Sequence, residues 1–284
     1  MPGGRHAAEA GHELRILALG QRARRALEHA RGIAQPLPAF PGSPWYEAGG
    51  EIVWIGARLP ALHPRAVLTS TAPPRGQSLH FESIPGSAWS ARLPLLDAGD
   101  VARIVARAKR MQRSVVAAQA PEGFGALLQR RLPQFPLDRA MPCVRALGRA
   151  FARDDPDAAF AAARPLLGLG AGLTPSGDDL VGGALFAKRL LNRKEPRWTQ
   201  LGKDLSREIG SRSHLVSAAL FSDLAAGRSF APLHEIAGAL ATGADEAALS
   251  AARALVAIGH SSGWDMLAGF LIGIRKTGNE RNFA

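Results

Sequence analysis

The chain has 284 residues with 46% hydrophobic and 21% charged side chains, which fits one large or two small globular domains and excludes global disorder. Its single cysteine, Cys143, excludes an intrachain disulfide and a multi-cysteine zinc site, and it favours a reducing compartment. The net charge of +11 attracts anionic partners, but the basic residues are scattered and no aromatic residues alternate with them. An anionic small molecule or an acidic partner subunit is therefore favoured over nucleic acid.

The N-terminal part is predicted to hold one helix followed by a small antiparallel sheet or partial barrel. Residues 13–31 carry an apolar stripe, and Gly32 follows it as a helix terminator would. The proline-rich stretch 35–45 is expected to be extended, since proline excludes a helix there. Short β-rich segments separated by Pro and Gly then predict strands at 51–57, 66–71, 78–84 and 88–93.

The C-terminal part is predicted to be helical. An amphipathic helix at 100–117 places four arginines, at positions 103, 107, 110 and 113, on one face that we expect to be solvated. After a proline-broken stretch, helical patterns follow at 143–152, 156–166, 177–192, 199–226, 232–241, 244–258 and 263–275. No strand pattern intervenes, which excludes a βαβ alternation. The sequence therefore predicts an α+β fold with a β-containing N-terminal domain at 1–100 and a helical C-terminal domain at 101–284.

The most informative segment is GLGAGLTPSGDDLVGG at 168–183. Its first three glycines alternate along the chain and free the backbone from side-chain crowding. Ser176 and Asp179 fit a capping box, in which each side chain accepts a hydrogen bond from the backbone N–H of the other residue. Capping explains neither the alternating glycines nor Asp178, which precedes Asp179.

The start of this predicted helix recurs 86 residues later. The pattern S-G-x-D-Φ-Φ-x-G-x-L, where Φ is a large apolar residue, begins at Ser176 and again at Ser262. A third copy, T-G-x-D at 242–245, lacks the later glycine and leucine and is interpreted as plain capping. The two long copies predict equivalent helix starts in a pseudo-symmetric bundle. Gly183 and Gly269 are expected at the contact between the two helices, because glycine permits close approach.

One hypothesis is that both helix starts face a ligand pocket, since free N–H groups at a helix N-terminus bind anions. Phosphate, carbamoyl phosphate or a carboxylate would suit the glycine loop, with contacts from Gly170, Gly172, Thr174 and Ser176. Nearby aspartates would repel a bare anion unless they hold a cation or an amide NH2. A Mg²⁺ ion shared with phosphate is one resolution, and a carbamoyl NH2 is the other. The aspartates concerned are Asp178, Asp179 and Asp265.

Several further side chains are candidates for the same pocket. His260 precedes the second helix start and is either a proton-transfer group or simply the residue before the cap. Arg212 is a candidate carboxylate clamp. Arg212 and Ser217, on the same predicted helix, either reach the pocket or are polar residues on the surface of an amphipathic helix. The predicted catalytic residues are His260 and Asp178. The predicted ligand-binding residues are Gly170, Gly172, Thr174, Ser176, Asp179, Arg212, Ser262 and Asp265.

Known nucleotide-binding motifs do not explain the segment. The Walker A pattern GxxxxGK[ST] is absent from the sequence, and no strand precedes the glycines as a dinucleotide fingerprint requires. The most apolar stretch, 254–274, holds polar side chains that disfavour a membrane span. The first residues lack the apolar region of a signal peptide, so a cytoplasmic protein is expected.

Three runs in the chain resemble a bacterial domain-of-unknown-function family. They are GLGAGLTPSGDDLVGGAL at 168–185, SRSHLVSAAL at 211–220 and IGHSSGWDMLAGFLIGI at 258–274. The best-known members of that family are a subunit of oxamate carbamoyltransferase, an enzyme of allantoin degradation. The resemblance covers roughly the C-terminal 120 residues, whereas the N-terminal part fits only in outline.

The resemblance implies a multi-subunit enzyme. Two other subunits are implied, one of them succinyl-CoA-synthetase-like, and the reaction would exchange a carbamoyl group between phosphate and the nitrogen of oxamate or a similar amide acid. A rival interpretation makes the chain a non-catalytic assembly subunit, whose motifs only cap and pack helices. A weaker rival, motivated only by charge, is nucleic-acid binding.

Overall fold

The structure is a computed structural model that describes residues 14–40, 42–90, 92–192 and 195–275. It divides into two compact units after Ser90. The first contains a sheet with one helix, and the second is mainly helical, so the predicted α+β fold class is confirmed. The domain boundary at residue 100 stays a prediction, and most residues of the signal-peptide prediction lie outside the described ranges.

The N-terminal unit is built on a six-stranded sheet in the order β1-β5-β4-β3-β2-β6. All neighbouring strands pair antiparallel except β4 and β5, which are parallel. Helix α1 packs its buried face, which includes Ala23 and Leu27, into a core shared with Val53, Ile55 and Val67. The strands are β1 (Ile16–Leu19), β2 (Ile33–Pro36), β3 (Trp45–Ala48), β4 (Glu51–Gly56), β5 (Ala66–Thr69) and β6 (Leu79–His80), and α1 is Gln21–His29.

The predicted helix at 13–31 is wrong in its first part, apart from residue 13, which lies outside the described ranges. Residues 16–19 form β1, because their backbone groups pair with β5. Leu17, taken as part of the apolar stripe, is 63% exposed. Strands β2 and β3 also occupy part of the stretch predicted as an extended connection.

The predicted strands at 51–57 and 66–71 correspond to β4 and β5, but the last two are shorter than expected. The segment 78–84 contributes only the two residues of β6, and 88–93 contributes a single bridge between Trp89 and Gly20. Pro85 and Gly86 separate these segments, and proline cannot donate to a ladder.

The C-terminal unit contains helices with almost the predicted bounds, apart from the segment 199–226. That segment is two helices, α6 and α7, separated at 212–214. The proline-broken stretch holds two short 3-10 segments, Gly123–Gln129 and Leu137–Ala140. The helices are α2 (Ala98–Ala118), α3 (Met141–Ala152), α4 (Pro156–Ala163), α5 (Ser176–Leu191), α6 (Pro196–Glu208), α7 (Leu215–Ala225), α8 (Ala231–Thr242), α9 (Asp245–Val256) and α10 (Ser262–Gly273).

The arginine face of α2 is only partly solvated, contrary to prediction. Arg107 donates to the carbonyl oxygens of Leu240 and Ala241 at the end of α8, at 2.7 and 3.1 Å. Arg110 pairs with Asp245 at the start of α9, at 3.0 Å. Arg107 therefore satisfies carbonyl groups that the end of a helix leaves without an intrahelical partner.

Helices α5 and α10 form the centre of the C-terminal unit. Almost every residue of both is buried, which is the pattern of helices surrounded on all sides by protein. Among the helices of the described residues, none has the length and apolar character needed to cross a membrane.

Candidate functional site

Helices α5 and α10 touch each other through glycines in a reciprocal way. A Cβ atom added at Gly183 would lie under 3.0 Å from the carbonyl oxygen of Met266, and one added at Gly269 would lie under 3.0 Å from that of Leu180. Met266 is the counterpart of Leu180 in the repeat, and Gly269 is the counterpart of Gly183. The predicted side-by-side packing is therefore confirmed, and the two helices are related by a pseudo-twofold axis.

The predicted capping boxes are wrong. Helix α5 has Pro175 at its N-cap, α10 has Ser261, and neither N-cap side chain makes a capping hydrogen bond. The same holds for the third copy, because α9 begins at Asp245 with Ala244 as its uncapped N-cap. Asp179 and Asp265 each contact a hydroxyl of the opposite helix start as well as one beside their own.

Asp179 at the start of α5 lies beside the start of α10. The hydroxyl groups of Ser262 and Thr174 form hydrogen bonds with its carboxyl. Those hydroxyls also contact each other, with Thr174 Oγ1 and Ser262 Oγ 2.8 Å apart. The carboxyl of Asp179 in one repeat thus contacts the hydroxyl of Ser262 in the other.

Asp265 makes the matching contacts in the opposite direction. The hydroxyl groups of Ser176 and Ser261 face its carboxyl, and the backbone N–H of Phe124 donates to Oδ1 at 2.6 Å. Ser176 Oγ and Ser261 Oγ are 3.3 Å apart. We call Thr174, Ser176, Ser261 and Ser262 the hydroxyl layer, and Asp179 and Asp265 the carboxyl pair.

The carboxyl pair is almost completely removed from solvent. Asp179 is 4% and Asp265 0% exposed, and the Oδ2 atom of each has no hydrogen-bond partner among the described residues. Burial raises the pKa of Asp265 to about 7. The pKa of Asp179 lies well above its ordinary value, because of burial and then because of the neighbouring charge of Asp265. Burial therefore favours the protonated, neutral form of both carboxyls.

Asp178 points to a different set of donors. It accepts hydrogen bonds from the backbone N–H of Gly168 at 2.7 Å, from Ser213 Oγ at 2.5 Å and from Ser217 Oγ at 2.7 Å. These contacts connect the glycine loop and the start of α7 to α5. The approach of Ser217 to a ligand pocket stays a prediction. The three contacts account for the burial of Asp178 without a ligand. Its catalytic role stays a prediction.

The glycine loop requires backbone conformations that L side chains rarely adopt. Gly168, Gly170 and Gly172 have φ of 77°, 122° and 90°. A Cβ atom at Gly168 would meet the carbonyl oxygen of Arg212 under 3.0 Å, whereas one at Gly172 would find nothing within 4 Å. The start of the loop is therefore fixed by packing, and its middle is open to solvent.

This difference predicts unequal costs for two similar substitutions. Gly172→Ala should lower the free energy of unfolding by about 1 kcal/mol, through φ alone. Gly168→Ala adds a steric clash with Arg212 and should lower it by about 2 kcal/mol. Urea unfolding of both variants measures the difference, and equal losses would contradict the packing of Gly168 against Arg212.

Residues 166–274 match the family model described as oxamate carbamoyltransferase subunit AllH. The resemblance predicted from the sequence is confirmed. Searches of curated proteins and of solved structures found no match. The AllH match contains both helix starts, the glycine loop and every member of the hydroxyl layer and carboxyl pair.

Two predicted site residues within the AllH-like segment lie outside the carboxyl pair's contacts. Arg212 pairs with Glu208, with Arg212 Nε 3.2 Å from the carboxylate, and Glu208 also binds Arg164 at 3.0 Å. His260 is exposed in the turn before α10. Their roles as carboxylate clamp and proton-transfer group stay predictions.

The structure adds residues that sequence reasoning missed. Gly123 approaches the carboxyl of Asp265 so closely that a Cβ atom there would lie under 3.0 Å from it. Gly123 and Phe124 precede the AllH-like segment, and only a positive φ of 55° at Gly123 marks the approach. Ser261 and Ser213 were also missed, since serines in a turn carry no pattern that reveals a distant partner.

A metal site was one of the sequence-based alternatives. Within the described ranges, no group of three or more His, Cys, Asp and Glu side chains is arranged to hold a metal ion. Asp178 in particular is occupied by its three donors, away from the contacts of Asp179 and Asp265.

Proposed function

We propose that this chain is a subunit of an oxamate carbamoyltransferase-type enzyme in the cytoplasm. The observation that carries the proposal is the AllH match over 166–274. The reaction exchanges a carbamoyl group between phosphate and the nitrogen of oxamate or a similar amide acid. Two other subunits complete the enzyme, one of them succinyl-CoA-synthetase-like, as the resemblance implies.

We place the ligand on the hydroxyl layer and the open part of the glycine loop. Two helix N-termini meet there, and their dipoles and free N–H groups favour the oxygens of a phosphate or carbamoyl group. Gly170 and Gly172 are partly exposed or exposed, which leaves their backbone accessible. Thr174, Ser176 and Ser262 supply hydroxyls that can donate to the ligand and accept from its NH2 group.

The carboxyl pair suits the proton transfer that this reaction needs. When carbamoyl phosphate forms, a phosphate oxygen attacks the carbonyl carbon, the bond from that carbon to the oxamate nitrogen breaks, and the nitrogen takes up a proton. A carboxyl whose pKa is about 7 gives or takes a proton near neutral pH. The hydroxyl layer contacts this pair directly, since Thr174 and Ser262 face Asp179 and the other two hydroxyls face Asp265. His260 is the alternative donor, on the exposed side.

An assembly role is the second candidate. The reciprocal glycine contacts and the three donors to Asp178 satisfy packing and hydrogen bonding without any ligand. In that case the partner subunits bind the substrates, and the motifs maintain the shape of this chain.

The deciding experiment uses the chain co-expressed and purified with its partner subunits. The assay follows carbamoyl phosphate formed from phosphate and N-carbamoyl oxamate. Thr174→Ala combined with Ser262→Ala should reduce kcat/KM about tenfold or more, which corresponds to about 1.4 kcal/mol of lost stabilisation. Ser222→Ala is the control, because that hydroxyl only donates to Ala218 within α7.

Thermal unfolding of each complex separates activity from stability. A folded, assembled double variant with normal activity would reject the ligand site and favour the assembly role. Absence of activity in the wild-type complex would reject the carbamoyltransferase assignment itself.

A further inference from the structure

A cavity lies toward the opposite end of α10 from the hydroxyl layer. It has a volume of about 410 Å³ and is enclosed by α2, the segment 128–130 and residues 271–275. Leu271, which lines it, is about 9 Å along the helix axis from Asp265. We call it the basic cavity, because its cations are Lys109, Arg113, Arg130 and Arg275.

The basic cavity has a strongly one-sided charge. None of the described residues that line it is acidic, and its polar lining is completed by Gln112 and Gln129. Cations that line one small volume attract an anionic group. Three of the four are arginines, whose planar groups bind phosphate oxygens in pairs.

Arg130 is held in an unfavourable backbone conformation. It ends the 3-10 segment Gly123–Gln129 with φ 60° and ψ 30°, the left-handed region where glycine is the usual residue. An arginine at such a position gives up local stability that glycine would provide. A need for its guanidinium at the cavity would account for an arginine at a position where glycine is more stable.

The cavity walls are fixed before any ligand arrives. Gln112 Nε2 donates to the carbonyl oxygen of Leu128 at 3.0 Å, and Gln129 Nε2 donates to that of Val116 at 3.0 Å. These bonds join α2 to the segment that carries Arg130. A preformed site loses less free energy to ordering when a ligand binds.

We propose that the basic cavity binds a small molecule with a polyphosphate group. The four cations match a group with three or four negative charges, and Leu128 and Leu271 offer an apolar surface to an organic part. The volume lies within the usual range of small-molecule sites and exceeds what one phosphate fills. The proposal does not depend on the carbamoyltransferase assignment, because none of its residues belongs to the hydroxyl layer or carboxyl pair.

Calorimetric titration of the full chain with pyrophosphate and with ADP tests the proposal. Both should bind, and Arg130→Gly should weaken both by roughly tenfold or more. The same variant should unfold at the same or a higher temperature than wild type, because glycine is relaxed at that φ. Loss of binding therefore does not arise from loss of folding.

Arg131→Ala is the matched control. Arg131 is exposed, adjacent in sequence and outside the cavity lining, so it changes the net charge equally and should leave the affinity unchanged. An equal loss of affinity in both variants would show general charge attraction and overturn the proposal. The absence of binding of either probe at millimolar concentration would also overturn it. Tighter binding of ADP than of pyrophosphate would locate the organic part on the apolar wall, and equal binding would restrict the site to the polyphosphate.

Discussion

Gly269→Ala is expected to lower the free energy of unfolding of the C-terminal unit by about 4 kcal/mol. The new Cβ would lie under 3.0 Å from the carbonyl oxygen of Leu180, which is backbone and cannot rotate away. Helices α5 and α10 would have to separate, and both are buried along nearly their whole length. The expected loss exceeds the usual cost of overpacking, because the clash is between two main chains at the centre of the unit.

Gly238→Ala is the control for this prediction. Gly238 lies inside α8, and a Cβ atom there would meet nothing within 4 Å. Alanine should therefore stabilise that helix by about 0.5–1 kcal/mol. Urea unfolding followed by circular dichroism compares the two variants. A Gly269→Ala protein as stable as wild type would show that the helices do not touch at this glycine.

Asp265→Asn is expected to become progressively more stable than wild type as the pH rises. Burial raises the pKa of Asp265 to about 7, so the folded state holds a proton that the unfolded state releases near pH 4. The wild type consequently loses stability between about pH 4 and pH 7. The asparagine cannot ionise, and its oxygen still accepts from the N–H of Phe124. As the pH rises, the difference in free energy of unfolding between the variant and the wild type should shift by roughly 2–4 kcal/mol in favour of the variant.

Guanidinium unfolding at pH 4, 6 and 8 measures this shift. Asp179→Asn should change in the same direction, because the pKa of Asp179 is raised for the same reason. Asp157→Asn removes an exposed carboxylate, 93% accessible in its side chain, and should differ from wild type by only a small amount. A constant difference for Asp265→Asn over the whole range would refute the buried, proton-holding carboxyl.

The pairing of α5 with α10 could be predicted because it depends on a feature that the sequence displays directly. Two helices can approach closely only where side chains are absent, and the repeat places Gly183 and Gly269 at equivalent positions. The contacts of the serines and aspartates could not be predicted in this way. S-x-x-D favours a local capping box, whereas the carboxyls of Asp179 and Asp265 face hydroxyls of the other copy of the repeat, 86 residues away.

The wrong predictions of secondary structure in the N-terminal unit have a similar physical origin. Residues 16–19 are apolar enough for either a helix or a strand, and their pairing with β5 decides the outcome. The end of β2 at Pro36 shows that a proline excludes a helix without excluding a short strand. In the C-terminal unit most helices could be predicted, because their apolar periodicity is long and continuous. The break at 212–214 lies against Gly168, a tertiary contact that apolar periodicity does not reveal.

The reciprocal glycine contacts have a consequence for folding during synthesis on the ribosome. Helix α5 leaves the ribosome first, and its partner follows 86 residues later, after α6 to α9 have been made. At bacterial or eukaryotic elongation rates, that interval is roughly 4–17 seconds. During this time the face of α5 that carries Gly183 has no native packing partner. The intervening helices or a chaperone must then cover this face of α5 until α10 packs against it.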